Sequence, residues 1–204
     1  MKTVAILSQK GGSGKSTIAV HLAVCAALNG KGTAIIDLDP QASAAKWRRR
    51  RSTDGPEVIT AAPGELPALL KQAAANGADL VIVDTAPHTD SAALAAADHA
   101  DLILIPCRPS AVDIDAIADT LDVLKLSKSK SKAHIVLNAV PPRGGVGDEV
   151  AEGLAAFAPV AAVRLGQRSA FSRAWNDGRS VEEYEPKGKA ADEIRALYRW
   201  AMKA

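Results

Sequence analysis

The sequence has very few aromatic side chains: two Phe, two Tyr and three Trp, together 3% of its 204 residues. Its apolar fraction of 48% excludes a disordered chain, so a core must be built mainly from Ala, Val, Leu and Ile. Two cysteines, Cys25 and Cys107, are too few for a disulfide framework and lack metal-ligand spacing. We predict that each cysteine is a small buried residue.

Membrane-spanning and export signals are also missing. No apolar run approaches the ~20 residues that a membrane-spanning helix needs. The N-terminus, Met1–Val4, leads directly into an apolar segment without a signal-peptide pattern. These features predict a cytoplasmic protein. The histidines show no metal-ligand spacing either; they are His21, His88, His99 and His134.

Short apolar runs rich in β-branched residues alternate with longer Ala- and Leu-rich segments of helical period. The predicted strands lie near 3–8, 33–37, 57–60, 79–84, 101–105, 133–138 and 159–164. The predicted helices lie near 15–29, 41–51, 64–76, 89–97, 113–126, 147–157, 168–177 and 188–202. This alternation predicts one α/β domain over residues 1–204: a doubly wound, mostly parallel sheet with helices on both faces. Ligands are expected at the carboxyl ends of its strands.

A glycine-rich segment, Gln9-Lys10-Gly11-Gly12-Ser13-Gly14-Lys15-Ser16-Thr17, follows the first predicted strand and leads into a helix-forming run. Glycines let backbone N–H groups approach phosphate oxygens, and the helix adds the positive end of its dipole. Lys15 is predicted to bridge the terminal phosphates and Ser16 to ligate Mg²⁺. Gln9 stands where the usual pattern has glycine, and an ordinary strand-to-helix turn is the alternative. The predicted phosphate-binding residues are Gly11, Gly12, Ser13, Gly14, Lys15, Ser16 and Thr17.

Acidic residues end two further predicted strands: Asp37 and Asp39 follow the second strand, and Asp84 ends the fourth. In a parallel sheet both strand ends project toward the phosphate loop, where a carboxylate can hold metal-bound water or orient an attacking water. Asp84 is predicted to reach Mg²⁺ through water. Either Asp37 or Asp39 can position the attacking water, and Asp37 is a further candidate for the metal site. The alternative is that the acids only terminate buried strands.

These segments together resemble the ParA/MinD family of deviant Walker-A ATPases, and the similarity runs in order along nearly the whole chain. It is closest to short ParA-type partition ATPases, since Met1 lies almost at the first strand. The segments that carry the resemblance are Lys10-Gly11-Gly12-Ser13-Gly14-Lys15-Ser16-Thr17, Asp37-Leu38-Asp39-Pro40-Gln41, Val83-Asp84-Thr85-Ala86-Pro87 and, more weakly, Ile105–Asp113, Arg168–Phe171 and Gly178–Val181.

The resemblance implies ATP/ADP and Mg²⁺ as cofactors and an ATP-dependent homodimer. It implies that Lys10 reaches the partner's phosphates across the dimer, as an arginine finger does. It also implies that Asp39 helps to place the catalytic water and that Asn138 contacts adenine. Asp113 would lie at the dimer face, although it could equally be a helix N-cap.

The charge is unevenly distributed along the chain. Residues 1–124 carry 11 basic and 14 acidic side chains (−3), whereas residues 125–204 carry 14 and 9 (+5), which accounts for the net charge of +2. A basic C-terminal third permits DNA binding through phosphate contacts. Four consecutive arginines, Arg48–Arg51, could instead serve DNA, a helix C-terminus or solubility. The candidate DNA-binding residues are Lys187, Lys189, Arg195 and Arg199.

Three functions agree with these features. The first is a partition ATPase that dimerises with ATP, binds DNA without sequence preference and hydrolyses ATP slowly when a centromere-binding adaptor stimulates it. The ATP-bound form would then associate with the nucleoid. The second is the same switch acting on a membrane, a chemoreceptor array or a microcompartment. The third is a small-molecule ligase or kinase of the same fold. The last predicted helix is expected to pack on the sheet, so no stable membrane association is predicted.

Overall fold

The computed structural model describes residues 1–128, 132–143 and 145–204. Within them six strands form one parallel sheet in the order β3-β2-β4-β1-β5-β6. The strands are β1 (Lys2–Ile6), β2 (Thr33–Asp37), β3 (Glu57–Thr60), β4 (Leu80–Asp84), β5 (Leu102–Cys107) and β6 (Lys132–Leu137). The predicted fold class, a doubly wound parallel sheet, is therefore confirmed.

Helices connect the strands and follow the last of them. A single 3₁₀ turn, Pro63–Glu65, precedes the third helix. The helices are α1 (Lys15–Leu28), α2 (Ser43–Arg50), α3 (Leu66–Ala75), α4 (Asp90–His99), α5 (Ala111–Lys125), α6 (Val146–Leu154), α7 (Ser169–Asn176), α8 (Val181–Tyr184) and α9 (Lys189–Lys203).

The sheet separates two apolar cores because alternate strand residues face opposite sides. In β1, Val4 and Ile6 pack with α1, α2 and α9, whereas Ala5 packs with the layer formed by α3, α4, α5 and α6. Helix α1 is buried almost all round, which its Ala- and Val-rich sequence permits. Both predicted faces of the sheet are thus covered by helices.

Strand register brings the predicted site residues together. Asp84 at the end of β4 pairs with Ile6 of β1 on one side and with Asp37 of β2 on the other. The phosphate loop starts directly after Ile6. Parallel strands place their carboxyl ends at one edge of the sheet, so both carboxylates lie beside this loop.

The predicted seventh strand, 159–164, is wrong. The segment lies parallel to β6, but only one isolated bridge, Ile135–Val160, falls within it, and a second bridge, Val140–Gly166, lies beyond both the segment and β6. The Ala161 amide bonds the carbonyl of Ile135, and the Leu165 amide bonds that of Leu137. Four residues on one side therefore span two on the other, and the extra residues interrupt the ladder.

Several smaller expectations can be compared with the structure. Helix α9 buries Ile194 and Leu197 in the core that contains α1, as predicted for a packed helix. Cys25 and Cys107 are buried free thiols, which confirms their predicted burial. No helix among the described residues has the length and apolarity to cross a membrane. The Ser- and Lys-rich segment 127–132, whose composition predicts a loop between a helix and a strand, lies partly outside the described residues, which omit 129–131 and 144.

Candidate functional site

The loop between β1 and α1 has the backbone shape of an anion-binding turn. Gly12 and Gly14 have positive φ angles of 74° and 104°, which side-chain-bearing residues rarely adopt. Gly14 is the N-cap of α1, and no side chain caps the first amides of this helix. These amides and the positive end of the helix dipole are thus available to a phosphate group.

Asn138 holds the loop from the other side. Its Nδ2 donates a hydrogen bond to the carbonyl oxygen of Ser13 at 2.7 Å. A Cβ atom on Gly14 would lie 2.1 Å from the same nitrogen, so only glycine fits there. Asn138 thus lies at the loop itself, next to the predicted phosphate site. Its predicted contact with adenine stays a prediction.

The Lys15 side chain is folded back onto the loop. Its ammonium group donates to the carbonyl oxygens of Ser8 and Lys10, each at 3.1 Å. Burial lowers the pKa of Lys15, while the carboxylates of Asp84 and Asp39 act in the opposite direction. The amine is therefore a mostly buried cation, and a phosphate group would complement its charge.

Gln9 has a structural role that the sequence did not suggest. Its backbone N–H donates to the Thr120 hydroxyl of α5 at 3.1 Å, and its side-chain amide donates to Asp90 of α4 at 2.7 Å. The backbone and the side chain of Gln9 thus fix the start of the phosphate loop to α5 and α4, respectively. This requirement explains why the position usually held by glycine can carry glutamine here.

Asp37 is buried, with 1% of its surface exposed, and its carboxylate is fully engaged. Oδ1 accepts from the backbone N–H of Asp39 at 3.1 Å, and Oδ2 accepts from those of Ala44 and Ala45 at 3.0 and 3.3 Å. Burial raises the pKa of Asp37, and the three N–H donors act against that rise. The side chain joins the end of β2 to the first turn of α2. Its predicted metal role stays a prediction.

Asp84 lies beside Asp37 but has a different environment. It is fully buried, and neither carboxylate oxygen has a well-directed hydrogen bond among the described residues. Burial raises the pKa of Asp84 to about 7; the nearby Ser16 hydroxyl and Lys15 lower it, whereas Asp37 and Asp39 raise it further. A buried carboxylate without a partner is unusual and requires a ligand or a proton.

This arrangement fits a magnesium ion. Hard oxygen ligands are the ones that Mg²⁺ prefers, and Mg²⁺ usually keeps several waters while it binds phosphate oxygens and one or two carboxylates. The Ser16 hydroxyl at the start of α1 and the orphaned oxygens of Asp84 supply such ligands at the end of the phosphate loop. A bound cation would also stabilise the charged form of Asp84.

Asp39 lies at the mouth of the same region. Its Oδ1 accepts a hydrogen bond from the backbone N–H of Gln41 at 2.8 Å, and its backbone carbonyl accepts one from the backbone N–H of Ala42 at 2.7 Å. The carboxylate is therefore held in a tight turn. It is half-buried and lines the phosphate cleft. Its predicted role with the attacking water stays a prediction.

An open cleft of about 320 Å³ lies above the phosphate loop. One lining residue is Trp175 of α7. Its ring centroid lies 6.5 Å from that of Trp47, which is completely buried. No sequence signal connected Trp175 to the loop, because α7 reaches the cleft only through the folding of the chain. The lining residues are Gly12, Gly14, Lys15, Ser16, Thr17, Asp39, Ser43, Pro87 and Trp175.

Lys10 and Asp113 lie at one side of the loop. Asp113 is buried and accepts two hydrogen bonds from Arg108, at 2.9 and 3.1 Å, and one from the Ser110 hydroxyl at 2.6 Å. Against the opposing effect of burial, these bonds and the charge of Lys10 lower the pKa of Asp113. Ser110, not Asp113, is the N-cap of α5, so the alternative role for Asp113 as a cap is wrong. The Lys10 side chain is half-exposed and near enough to contribute charge there.

The candidate DNA-binding residues of the C-terminal segment are not equivalent. Arg195 donates to Asp192 at 2.6 Å and to the Pro186 carbonyl at 2.9 Å, and lies 3.8 Å from Glu182. Its charge is therefore largely offset within the protein. Lys187, Lys189 and Arg199 are exposed.

A parallel sheet, a glycine loop before the first helix and a buried unpartnered carboxylate on the adjacent strand define a P-loop nucleotide-binding domain. Residues 4–181 match the family described as the CobQ/CobB/MinD/ParA nucleotide binding domain, and the chain belongs to this family. The predicted ParA/MinD resemblance is thereby confirmed.

Individual relatives and solved structures carry different names. The chain is 33% identical to "Maintenance of carboxysome distribution protein A" of Gloeobacter kilaueensis, over 97% of this chain and 91% of that protein. It is 36% identical to "Protein ParA" of Rhizobium radiobacter, over 61% and 56% of the two chains. Its fold matches the septum site-determining protein MinD of Pyrococcus horikoshii, complexed with Mg-ADP, with a TM-score of 0.80 at 17% identity over 99% and 96% of the two chains.

Proposed function

We propose that this chain is a magnesium-dependent ATPase whose ATP-bound dimer positions a large protein assembly of the microcompartment type. The observation that carries the proposal is the coexistence of a complete phosphate site with a nearly full-length likeness to a carboxysome distribution protein. That cargo is the second of the three functions considered from the sequence. DNA partition, the first, is supported only at the level of the family.

The residues of the loop would divide the chemistry among them. The amides from Gly11 to Thr17 and the Lys15 ammonium would hold the phosphates, and Ser16 and Asp84 would hold Mg²⁺, which neutralises charge on the phosphate oxygens. Lys15 would leave the carbonyls of Ser8 and Lys10 when phosphate binds, because the phosphate is the stronger acceptor.

Hydrolysis and dimerisation would depend on two further side chains. Asp39, at the mouth of the cleft, would orient the attacking water. Lys10 would contact the phosphates held by the second subunit, so that ATP joins the two subunits and its hydrolysis releases them. The half-exposed position of Lys10 beside the loop supports this role.

The switch can be tested with size-exclusion chromatography coupled to light scattering, in ATP, ADP or no nucleotide. We expect dimers only with ATP, and monomers for Lys10→Ala under every condition. Lys2→Ala provides a matched control, because Lys2 lies at the opposite end of β1 and bonds the Ala201 carbonyl. Dimerisation of Lys10→Ala at the wild-type level would contradict the proposed role of Lys10.

We also propose that duplex DNA is the surface on which the dimer moves. The excess of basic residues in 125–204 and the exposure of Lys187, Lys189 and Arg199 support this partner. Fluorescence anisotropy with an arbitrary duplex at low salt should show binding with ATP and little with ADP. Equal binding in both states would contradict a nucleotide-controlled track.

Plasmid or chromosome partition through a centromere-binding adaptor is the second candidate, favoured by the 36% identity to Protein ParA. Deletion of the gene in its source organism separates the two. Clustered protein-bounded bodies in electron tomograms, with plasmids retained, would support the cargo proposed above. Plasmid loss with normally spaced bodies would support partition.

A further inference from the structure

Helix α2 carries four cations in eight residues, Ser43 to Arg50, and no acid. Three of them, Lys46, Arg49 and Arg50, are spaced i, i+3 and i+4, so they share one face of the helix. All three are exposed, whereas Arg48 lies on another side of the helix and is half-buried. We call Lys46, Arg49 and Arg50 the α2 cationic face.

The three side chains of the α2 cationic face have no hydrogen bond or ion pair among the described residues. Some cations of other helices are offset by nearby acids: Lys125 pairs with Asp122 in α5 at 2.7 Å, and Arg195 pairs with Asp192 in α9 at 2.6 Å. Like charges at i and i+4 destabilise a helix slightly. The α2 cationic face is therefore an arrangement that the isolated chain does not compensate.

Buried side chains at the end of α2 hold the helix so that the α2 cationic face points to solvent. Trp47 is completely buried, and Arg51 forms two hydrogen bonds with Glu183, each at 2.7 Å. Arg51 also donates to the Gly178 carbonyl at 3.2 Å, and its guanidinium lies 5.2 Å from the Trp47 ring. The run of four arginines thus divides into a buried structural residue, Arg51, a half-buried residue, Arg48, and two exposed residues, Arg49 and Arg50, whose side chains form no hydrogen bond or ion pair with the described part of the chain.

A favourable interaction with the helix dipole does not explain the presence of all three cations on the α2 cationic face. Cations stabilise mainly the last turn of a helix, and the arginines at the end of α2 already occupy that turn. Lys46 lies a full turn earlier and extends the same face, away from the helix end. Three exposed cations without acids form the kind of surface that contacts several phosphates of one polyanion.

The first turn of the same helix belongs to the nucleotide site. Ser43 lines the phosphate cleft together with Asp39, and the amides of Ala44 and Ala45 are bound by Asp37. A change in this segment when nucleotide binds would be transmitted to α2 as a rigid unit. The α2 cationic face is therefore placed where its orientation can follow the state of the nucleotide.

We propose that the α2 cationic face binds the phosphate backbone of duplex DNA and forms a main contact with the DNA track. This inference rests on the proposed function and assigns its surface to Lys46, Arg49 and Arg50, instead of to Lys187, Lys189, Arg195 and Arg199. Contacts of this kind read charge and carry no sequence preference.

The test is fluorescence anisotropy with an arbitrary duplex, in ATP, over a series of salt concentrations. The Lys46→Ala/Arg49→Ala/Arg50→Ala variant should bind about tenfold or more weakly than the wild type. The slope of log affinity against log salt should fall by about 0.9 for each phosphate contact that the substitutions remove. The matched variant Lys187→Ala/Lys189→Ala/Arg199→Ala removes the same charge and should change binding much less.

Two further variants protect the test against misfolding. Lys46→Arg/Arg49→Lys/Arg50→Lys keeps the charge and should keep binding, and the exposed single change Arg49→Glu should weaken it. Circular dichroism and thermal melting verify the fold of each variant.

The outcomes separate this inference from the function on which it rests. Wild-type affinity in the triple α2 variant, or the larger loss in the C-terminal variant, would overturn the assignment of the surface and leave the DNA track intact. A wild-type protein that binds no duplex with ATP, or that binds anionic phospholipid vesicles instead, would overturn both.

Discussion

The ends of β2 and β4 carry the same residue type at the same level of the sheet, and yet they are built differently. Asp37 and Asp84 are register partners on neighbouring strands, and both are buried. Asp37 accepts three backbone hydrogen bonds, two of them from α2, whereas Asp84 has no well-directed partner within the described part of the chain. The Asp37 carboxylate connects β2 to α2, whereas the Asp84 carboxylate is available to a ligand.

The difference arises from the path of the chain after each strand. After β2 the chain turns back through Asp39 into α2, and the amides of its first turn meet Asp37. After β4 it leaves through Thr85, whose hydroxyl donates to the Ile6 carbonyl at 3.0 Å and not to Asp84. A buried carboxylate is satisfied only where neighbouring groups supply hydrogen-bond donors, and at Asp37 the backbone of α2 supplies them.

The largest expected difference between the two strand ends is in pH dependence. Asp84 has a pKa of about 7 in the folded chain, against roughly 3.9 when unfolded. The metal-free fold retains this proton after the unfolded chain has lost it. The contribution of Asp84 to the free energy of unfolding is thus most favourable below about pH 4. It declines as the pH rises to about 7, by a total of the order of 4 kcal/mol.

Urea unfolding between pH 4 and pH 8, in EDTA and without nucleotide, measures this decline. Asp84→Asn cannot ionise and should flatten the curve, with a higher free energy of unfolding than the wild type at pH 8. Asp37→Asn should leave the decline in place. If Asp84→Asn followed the wild-type curve, the carboxyl would not carry the raised pKa.

The same substitution should have the opposite effect on activity. Asp84→Asn removes the anionic ligand of the proposed magnesium site, and we expect ATP hydrolysis to fall about 100-fold or more. Phosphate release at saturating ATP and Mg²⁺ measures the rate. Asp37→Asn should reduce hydrolysis less. If Asp37→Asn lost more hydrolysis activity than Asp84→Asn, the roles assigned to the two carboxylates would have to be reversed.

Much of this edge of the sheet could be predicted from the sequence, because glycine spacing and strand-terminal acids are local signals. The phosphate loop, β2 and β4 were located in this way. The distinction between Asp37 and Asp84 could not be predicted, since it depends on which distant amides reach each carboxylate. No local signal separates Arg51, which is buried against Glu183, from the three arginines before it.

Two other features depended on tertiary contacts. Trp175 reaches the cleft only because α7 packs beside α2 through Trp47. Residues 159–164 have the composition of a strand, but their extra length relative to β6 permits only one isolated bridge. The composition of a segment indicates its tendency to form a strand. Whether a strand forms is decided by the register of the segment with the neighbouring strand.

The structural role of Asp37 predicts a loss of stability where Asp84→Asn gives a gain. Asp37→Ala leaves the amides of Asp39, Ala44 and Ala45 without their acceptor, and we expect the free energy of unfolding at pH 8 to fall by about 2 kcal/mol. Asp101→Ala is a control, because its carboxylate accepts one amide, from Thr3 at 2.7 Å. It should cost less than Asp37→Ala. If the two substitutions lowered the free energy of unfolding equally, Asp37 would have no special role in connecting β2 to α2.

The smallest expected effect connects the two strand ends to the α2 cationic face. Asp37→Asn keeps one acceptor oxygen and should leave α2 folded but less firmly held, so DNA affinity in ATP should fall by a few fold, below the loss for the triple α2 variant. Asp101→Asn makes the same chemical change at the opposite edge of the sheet, and DNA affinity should not respond to it. Anisotropy of both variants at one low salt concentration provides the comparison. If the two variants bound DNA alike, α2 would hold its cations independently of β2, and the nucleotide site would lack this route to the DNA surface.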